Sequence, residues 1–213
     1  MAMVTDILLQ AVLILVSLVM FLALHNIPQK LYAKFRYRNR AQVQSKRHFV
    51  LGAQLLARAR SANSRSAATP LAKEALAEAE RSIELDPKDA AAHILKALVL
   101  DFQGFKSSAI DSIDAALSPL AVKSLTEKER GDALFKRAEL KIAMPRRGKV
   151  DSALADLGEA VALSPDNARA FCLLGECYEV KKMEAEARKA YEDALRIEPE
   201  LGVAQQGLDR LSS

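Results

Sequence analysis

The longest apolar stretch of the chain lies near its N-terminus. Residues 7–24, ILLQAVLILVSLVMFLAL, form an 18-residue run without a charged side chain. As an α-helix this run would be about 27 Å long, just enough to cross the hydrocarbon core of a bilayer. A helix buried in a soluble core would show a polar position every three or four residues, and this run does not. The pattern predicts an uncleaved transmembrane helix over 7–24, preceded by a translocated N-terminus of residues 1–6.

A cleavable signal peptide is the main alternative for this run. Such a peptide has a positively charged start, a shorter apolar stretch and a cleavage site of the A-x-A type. Here the first residues, MAMVTD, contain an aspartate and no lysine or arginine, and the exit sequence FLALHNIP offers no good cleavage site. These features favour an anchor that stays attached over a cleaved leader or a soluble helix.

Beyond residue 41, apolar and small residues recur at helical spacing in pairs of segments, and no useful length of chain alternates with a period of two. The clearest pair is residues 168–199, ARAFCLLGECYEVKKMEAEARKAYEDALRIEP. Small residues at Gly175, Ala187 and Ala194 would let two antiparallel helices approach closely. Pro199 would end the second helix, because proline cannot continue the backbone hydrogen-bond ladder. This part of the chain is therefore predicted to be helical, with no sheet.

The same segment resembles the 34-residue tetratricopeptide repeat. It matches all eight signature positions of that family, at Phe171, Leu174, Gly175, Tyr178, Ala187, Tyr191, Ala194 and Pro199. Shorter matches recur upstream, at Ala97, Ala109 and Ala116 in one copy and at Ala138, Ala153 and Ala160 in the next. The resemblance implies a degenerate first repeat over 42–87 and three further repeats over 88–121, 130–165 and 166–199. The remaining residues, 200–213, are predicted to form a capping helix that covers the open end of the stack.

The first repeat is the least regular. Its two helices are predicted over 42–60, with Ala53 at the small position of the first helix, and over 71–85. The polar stretch between them, SANSRSAATP, is predicted to be a long loop. The resulting fold class is an all-α tetratricopeptide helical-hairpin solenoid of about four repeats, with a C-terminal capping helix and one N-terminal transmembrane helix.

The charged residues are unevenly distributed, with a basic region on the N-terminal side of the repeats. The net charge is +4, but no acidic residue occurs between Asp6 and Glu74, so the positive excess lies entirely in the N-terminal third. In the neck, residues 25–41, aromatic rings alternate with bases. Such a sequence could stack on a nucleic acid, but beside a membrane span it favours an interfacial belt on anionic lipid, without a nucleic-acid partner. The predicted membrane-interface residues are Lys30, Tyr32, Lys34, Phe35, Arg36, Tyr37, Arg38 and Arg40.

The basic neck also predicts the orientation of the chain. Clusters of Lys and Arg beside a span stay on the cytosolic side, so everything after residue 40 is expected to face the cytosol. The sequence contains no N-x-[ST] glycosylation site, which agrees with that orientation. A single-pass protein of this kind fits the endoplasmic reticulum or the outer membrane of a mitochondrion or plastid.

The chain lacks the motifs of common enzymes and metal sites. It has no Gly-rich phosphate loop, no G-x-S-x-G turn and no Cys/His cluster with metal-ligand spacing. Cys172 and Cys177 are five residues apart on one predicted helix, so they would point about 140° apart and could not form a disulfide with each other. We therefore expect neither catalysis nor a cofactor or bound metal.

The family resemblance implies a right-handed superhelix whose groove is lined by positions 2, 5, 9 and 12 of the first helix in each repeat. In the first repeat these positions are Arg47, Val50, Gln54 and Ala57. The acidic residues at such positions suggest a mildly acidic floor with apolar patches; ordinary solvated helix surface is the alternative. The Lys and Asn clamp by which chaperone-binding members hold an acidic tail is not reproduced, so such a tail is disfavoured. The candidate partner-binding residues are Arg47, Gln54, Ile94, Asp101, Asp132, Phe135, Lys136, Glu139, Arg169, Glu176 and Glu179.

Because tetratricopeptide proteins are mostly scaffolds, the resemblance implies a protein or peptide partner. The leading hypothesis is a membrane-anchored adaptor on the cytosolic surface of an organelle. One alternative is a protein-targeting receptor of a mitochondrial or plastid outer membrane, whose acidic groove would receive basic presequences. The other is a structural subunit of a larger membrane complex.

Overall fold

The computed structural model describes residues 2–24, 27–144 and 149–212. In this described part every regular secondary-structure element is a helix. The ten α-helices are α1 (Ala2–Leu24), α2 (Ile27–Arg60), α3 (Arg65–Leu85), α4 (Ala90–Phe102), α5 (Lys106–Ala116), α6 (Glu127–Ile142), α7 (Lys149–Leu163), α8 (Ala168–Val180), α9 (Glu184–Ile197) and α10 (Gly202–Ser212). A short 3-10 helix, Val122–Ser124, lies between α5 and α6.

The chain divides into two compact units, residues 1–44 and residues 45–213. In the first unit, the apolar run 7–24 lies within α1. None of the helices within the described residues combines the length and the hydropathy of a membrane span. The predicted anchor thus remains an expectation from the sequence. Of the predicted interface residues, Arg40 is exposed; the side chains outside the described set are those of Lys30, Tyr32, Lys34, Phe35, Arg36, Tyr37 and Arg38.

The second unit is a stack of helical hairpins, so the expectation of an all-α solenoid is confirmed for the described residues. Helix α4 packs on α5, α6 on α7 and α8 on α9, and neighbouring hairpins meet through α3 with α4, α5 with α6 and α7 with α8. The helices approach closely where the sequence places alanine, because a small side chain lets two backbones come together. These alanines are at most 1% exposed: Ala97, Ala109, Ala116, Ala138, Ala153, Ala160, Ala187 and Ala194.

Tyr191 on α9 ties the last hairpin to α10. Its side chain is fully buried. A Cβ atom added at Gly175 of α8 would lie 2.7 Å from Tyr191 Cε1, and one added at Gly207 of α10 would lie 2.5 Å from Tyr191 Cζ. The tyrosine ring therefore fits between two glycines, and α10 covers the open end of the stack. Capping of this kind keeps a solenoid soluble.

The loop predicted in the first repeat is shorter than expected. Helix α3 begins at Arg65 rather than at residue 71, because Ser64 caps it by accepting a hydrogen bond from the Ala67 amide at 3.3 Å. Pro70 lies in the second turn and gives up one backbone hydrogen bond. The surrounding alanines have the highest helix propensity and act against that loss. Only residues 61–64 separate α2 from α3.

Buried serines join α2 to α3. The Ser45 hydroxyl donates to the Ser82 carbonyl at 3.0 Å, and the Ser82 hydroxyl donates to the Ser45 carbonyl at 3.0 Å. Both side chains are at most 1% exposed. Their polar groups are thus satisfied without water, so the two helices can cross closely at this point.

Candidate functional site

An open cavity with a volume of about 730 Å³ crosses the first helices of successive hairpins. Its floor is apolar and is formed chiefly by Phe49, Ala53 and Leu56 of α2, Ile94 and Leu98 of α4, and Phe135 of α6. Charged side chains surround this floor, at Arg60, Glu129, Asp132, Lys136, Glu139 and Arg169. The cavity has the size and the mostly apolar lining that are usual for binding sites.

The structure brings six of the eleven candidate groove residues together around this cavity. They are Ile94, Asp132, Phe135, Lys136, Glu139 and Arg169. The other five are placed elsewhere. Arg47 and Gln54 are exposed on α2, Asp101 lies beside Lys136, and Glu176 and Glu179 lie at the α10 end of α8.

The predicted register of the first repeat differs from the structure by one residue. Gly52, not Ala53, makes the close approach, since a Cβ added there would lie 3.2 Å from the Ala75 carbonyl oxygen and 3.1 Å from Leu95 Cδ2. With Gly52 at position 8, positions 5, 9 and 12 become Phe49, Ala53 and Leu56, the residues that line the cavity. Arg47, Val50 and Gln54 are consequently exposed away from it.

Lys136 is the centre of an ion-pair network at the groove. Its Nζ atom lies 2.8 Å from Asp101 Oδ2 and 2.8 Å from Glu139 Oε2. Burial acts to lower the pKa of Lys136, but the hydrogen bonds to the two carboxylates outweigh it and the pKa is raised. Burial likewise acts to raise the pKa of Asp101, and the hydrogen bond from Lys136 reverses the shift, so that pKa is lowered. The network is therefore charged at neutral pH.

Two further ion pairs follow the same arrangement along the stack, with a cation of the later helix bonded to an acid of the earlier one. Arg169 of α8 lies 3.5 Å from Glu139 of α6, and its guanidinium lies over the Phe135 ring at 5.8 Å from the ring centre. Arg210 of α10 lies 2.9 Å from Glu179 of α8. The acidic floor suggested by the sequence is thus largely neutralised by neighbouring helices.

The remaining groove acids differ in their surroundings. Asp132 is exposed and accepts a hydrogen bond from Asn167 at 3.4 Å. Glu176 is half-buried, and burial raises its pKa; nearby Arg210 acts against this shift and Glu179 adds to it. The thiol of Cys172, on the same helix, is buried, which raises its pKa to about 11. Cys172 and Cys177 are both free and buried.

A second charged cluster, between α6 and α7, was missed in the sequence analysis. Asp156 is 6% exposed and accepts two hydrogen bonds from Arg137, at 2.6 and 2.9 Å, and one from Lys141 at 2.6 Å. Arg137 also donates to Asp114 of α5 at 2.7 Å. Arg137 and Lys141 occupy positions 7 and 11 of the third repeat, where the family pattern has large apolar residues. That departure from the family pattern was the feature of the sequence that could have indicated this cluster.

No group of three or more His, Cys, Asp or Glu side chains in the part of the chain that the structure describes could hold a metal ion.

Comparisons with known proteins bear on the fold. A profile of the tetratricopeptide repeat family matches residues 146–201. Among solved structures, a tetratricopeptide-repeat protein of Thermus thermophilus is 19% identical with a TM-score of 0.54, over 78% of this chain and 80% of that one. This is a tetratricopeptide-repeat fold. Stacked repeats of this kind present an extended concave surface to which other molecules can bind.

Two other structures share the tetratricopeptide-repeat fold. PilF of Pseudomonas aeruginosa is 21% identical with a TM-score of 0.61, over 82% of this chain and 68% of that one. MamA is 25% identical with a TM-score of 0.52, over 61% of this chain and 70% of that one. No curated protein matches the sequence.

Proposed function

We propose that this tetratricopeptide-repeat protein is a membrane-anchored, cytosol-facing adaptor that holds a peptide or helix of a partner protein in its groove. The observation that carries the proposal is the cavity of about 730 Å³ with a floor of large apolar side chains. Apolar surface of this kind is costly to leave in water, and a partner that covers it gains the corresponding free energy.

The membrane part of the proposal is supported by the sequence. The apolar run 7–24 has the length of a span, and the basic neck that follows favours the cytosolic side of the endoplasmic reticulum or of a mitochondrial or plastid outer membrane. An anchored groove searches for its partner in two dimensions. Weak contacts then give useful occupancy when the partner is bound to the same membrane.

The charges of the groove favour a general adaptor over a receptor for basic presequences. A presequence receptor would need free carboxylates in its groove. Glu139 is already paired with Lys136, and the exposed Glu129 and Asp132 are balanced in number by Arg60 and Arg169, so the charged lining residues carry no net charge. A basic partner would have to displace these cations before it could gain their counter-charges.

Site-directed photo-crosslinking in intact cells tests the adaptor proposal. A photoreactive amino acid is placed in the full chain at Leu98, in the groove, and as a matched control at Ala185, which is exposed on α9. We expect one dominant partner from Leu98 and not from Ala185, in a fraction that resists alkaline carbonate. Release by carbonate would exclude the anchor, and the same neighbours from both positions would exclude the groove as the binding surface.

A further inference from the structure

Three large apolar side chains form a row across the groove. With Gly52 at position 8 of the first repeat, Phe49, Ile94 and Phe135 occupy the same position, 5, of α2, α4 and α6. Packed helices lie about 8–10 Å apart, so the row is about 20 Å long. Ala53 and Leu98, at position 9, widen it on one side. A segment of about 13 residues in a helix has the same length.

The charges next to this row are satisfied within the protein. Lys136 is bonded to Asp101 and Glu139, and Arg169 pairs with Glu139 while its guanidinium lies over the Phe135 ring. Three other charged lining residues, Arg60, Glu129 and Asp132, are exposed to water. The Lys136 pairs are partly buried, and such pairs are costly to break because each ion left alone loses its counter-charge. A charged partner would therefore meet no free buried counter-charge in the groove.

We infer that the groove takes an uncharged, apolar segment of the partner protein, with side chains that pack on Phe49, Ile94 and Phe135. This inference rests on the proposed function, because it specifies what the same groove binds. The partner segment buries its apolar face against the row and leaves the Lys136 network intact. Binding then follows from apolar burial, and salt has little effect on it, since screening acts on charges and not on apolar contact.

Three matched peptides test this inference. Each has the same apolar core of Leu, Phe and Ala, is about 14 residues long to match the row, and carries fluorescein. The cores are flanked by Gly-Ser, by lysines or by glutamates. Binding is measured by fluorescence anisotropy to the full chain in phosphatidylcholine nanodiscs, with empty nanodiscs subtracted.

We expect the uncharged peptide to bind at least about tenfold more tightly than either charged one, a difference that is readily measured. Its Kd should change less than about twofold between about 50 and about 500 mM NaCl. Tightest binding of the lysine-flanked or the glutamate-flanked peptide, with strong salt dependence, would overturn the inference. So would equal affinity for all three peptides, or no binding of any of them.

Groove variants keep the test specific. Ile94→Asp is expected to weaken binding of the uncharged peptide by more than about tenfold, and Phe135→Ala by a smaller factor. The matched control is Leu120→Asp, since Leu120 is 68% exposed and is not among the residues that line the cavity. Helix content by circular dichroism shows whether each variant is folded, and Phe135→Ala remains as the test if Ile94→Asp is not. Equal affinity in Leu120→Asp and Ile94→Asp would overturn the inference.

The outcomes also separate this inference from the proposed function. If a charged peptide binds and Ile94→Asp abolishes that binding, the groove is still a binding site and only the uncharged occupant is wrong. If the full chain self-associates and Ile94→Asp prevents it, the occupant is a second copy of the chain, and the inference fails. The adaptor proposal itself is tested separately by the crosslinking experiment, in which it fails if Leu98 and Ala185 capture the same neighbours.

Discussion

At the scale of single residues, the space around Tyr191 depends on two glycines. We expect Gly175→Ala to lower the free energy of unfolding by about 1–3 kcal/mol, because its methyl group would lie within 3 Å of a fully buried ring. Gly158→Ala is the matched control, since nothing lies within 4 Å of a Cβ there and alanine favours a helix by up to about 1 kcal/mol. Thermal unfolding followed by circular dichroism measures both; a stabilised Gly175→Ala would contradict the packing described.

Glu176 provides a pH-dependent prediction. Its pKa is raised in the folded protein, so the ionised form is penalised and stability falls as the pH rises through and above the ordinary value of 4.5. Glu176→Gln removes that penalty. We expect the variant to melt at a higher temperature than the parent chain at pH 7, with the difference shrinking as the pH falls below 4.5. A difference that is constant across this range would show that ionisation is not its cause.

At the scale of helices and hairpins, sequence reasoning succeeds where the small residues are unambiguous. Gly175, Ala187 and Ala194 fix the last hairpin, and they are buried as their spacing requires. In the first repeat, Gly52 and Ala53 are both small, and only the contact of Gly52 with α3 and α4 shows which one sets the register. The one-residue difference decides whether Val50 or Phe49 belongs to the groove.

Ion pairs between helices were the second feature that could not be predicted from the sequence. The pattern of acids along the first helices suggests an acidic floor, but Asp101 and Lys136 are far apart in the chain and lie 2.8 Å apart in the fold. Arg137 and Asp156 are likewise 19 residues apart in the chain and lie 2.6 Å apart in the fold. The first pairing depends on how neighbouring hairpins stack and the second on how the two helices of one hairpin cross, and local periodicity does not specify either.

The Asp156 cluster should stabilise the contact of α6 with its neighbours. We expect Asp156→Ala to cost about 3 kcal/mol, because it leaves Arg137 and Lys141 half-buried without their shared carboxylate. Asp151→Ala is the control, since the Asp151 side chain is 67% exposed in its pair with Lys181 and should contribute less than about 1 kcal/mol. Chemical unfolding of the full chain compares the two; similar losses would contradict a role for burial.

At the scale of the whole molecule, the charges are unevenly distributed along the chain. The basic excess precedes Glu74, and the repeats that follow are net acidic. Five of these bases, Lys30, Lys34, Arg36, Arg38 and Arg40, precede the repeats, and the positive-inside rule gives them a consequence for orientation.

The predicted orientation can be tested with a reporter, because the natural sequence has no N-x-[ST] site. A glycosylation site is added on a short Gly-Ser extension after the last residue, and the full chain is inserted into endoplasmic reticulum microsomes. We expect no glycosylation of the parent chain, since its C-terminal part should stay on the cytosolic side.

Replacement of Lys30, Lys34, Arg36, Arg38 and Arg40 by glutamine removes the positive charges that keep this end of the span on the cytosolic side, so a glycosylated fraction should appear. In the matched control, glutamine replaces five bases that lie farther from the span: Arg58, Arg60, Arg65, Lys73 and Lys88. This control variant should remain unglycosylated. Glycosylation of the parent chain would reverse the orientation, and an unglycosylated neck variant would show that the neck does not set it.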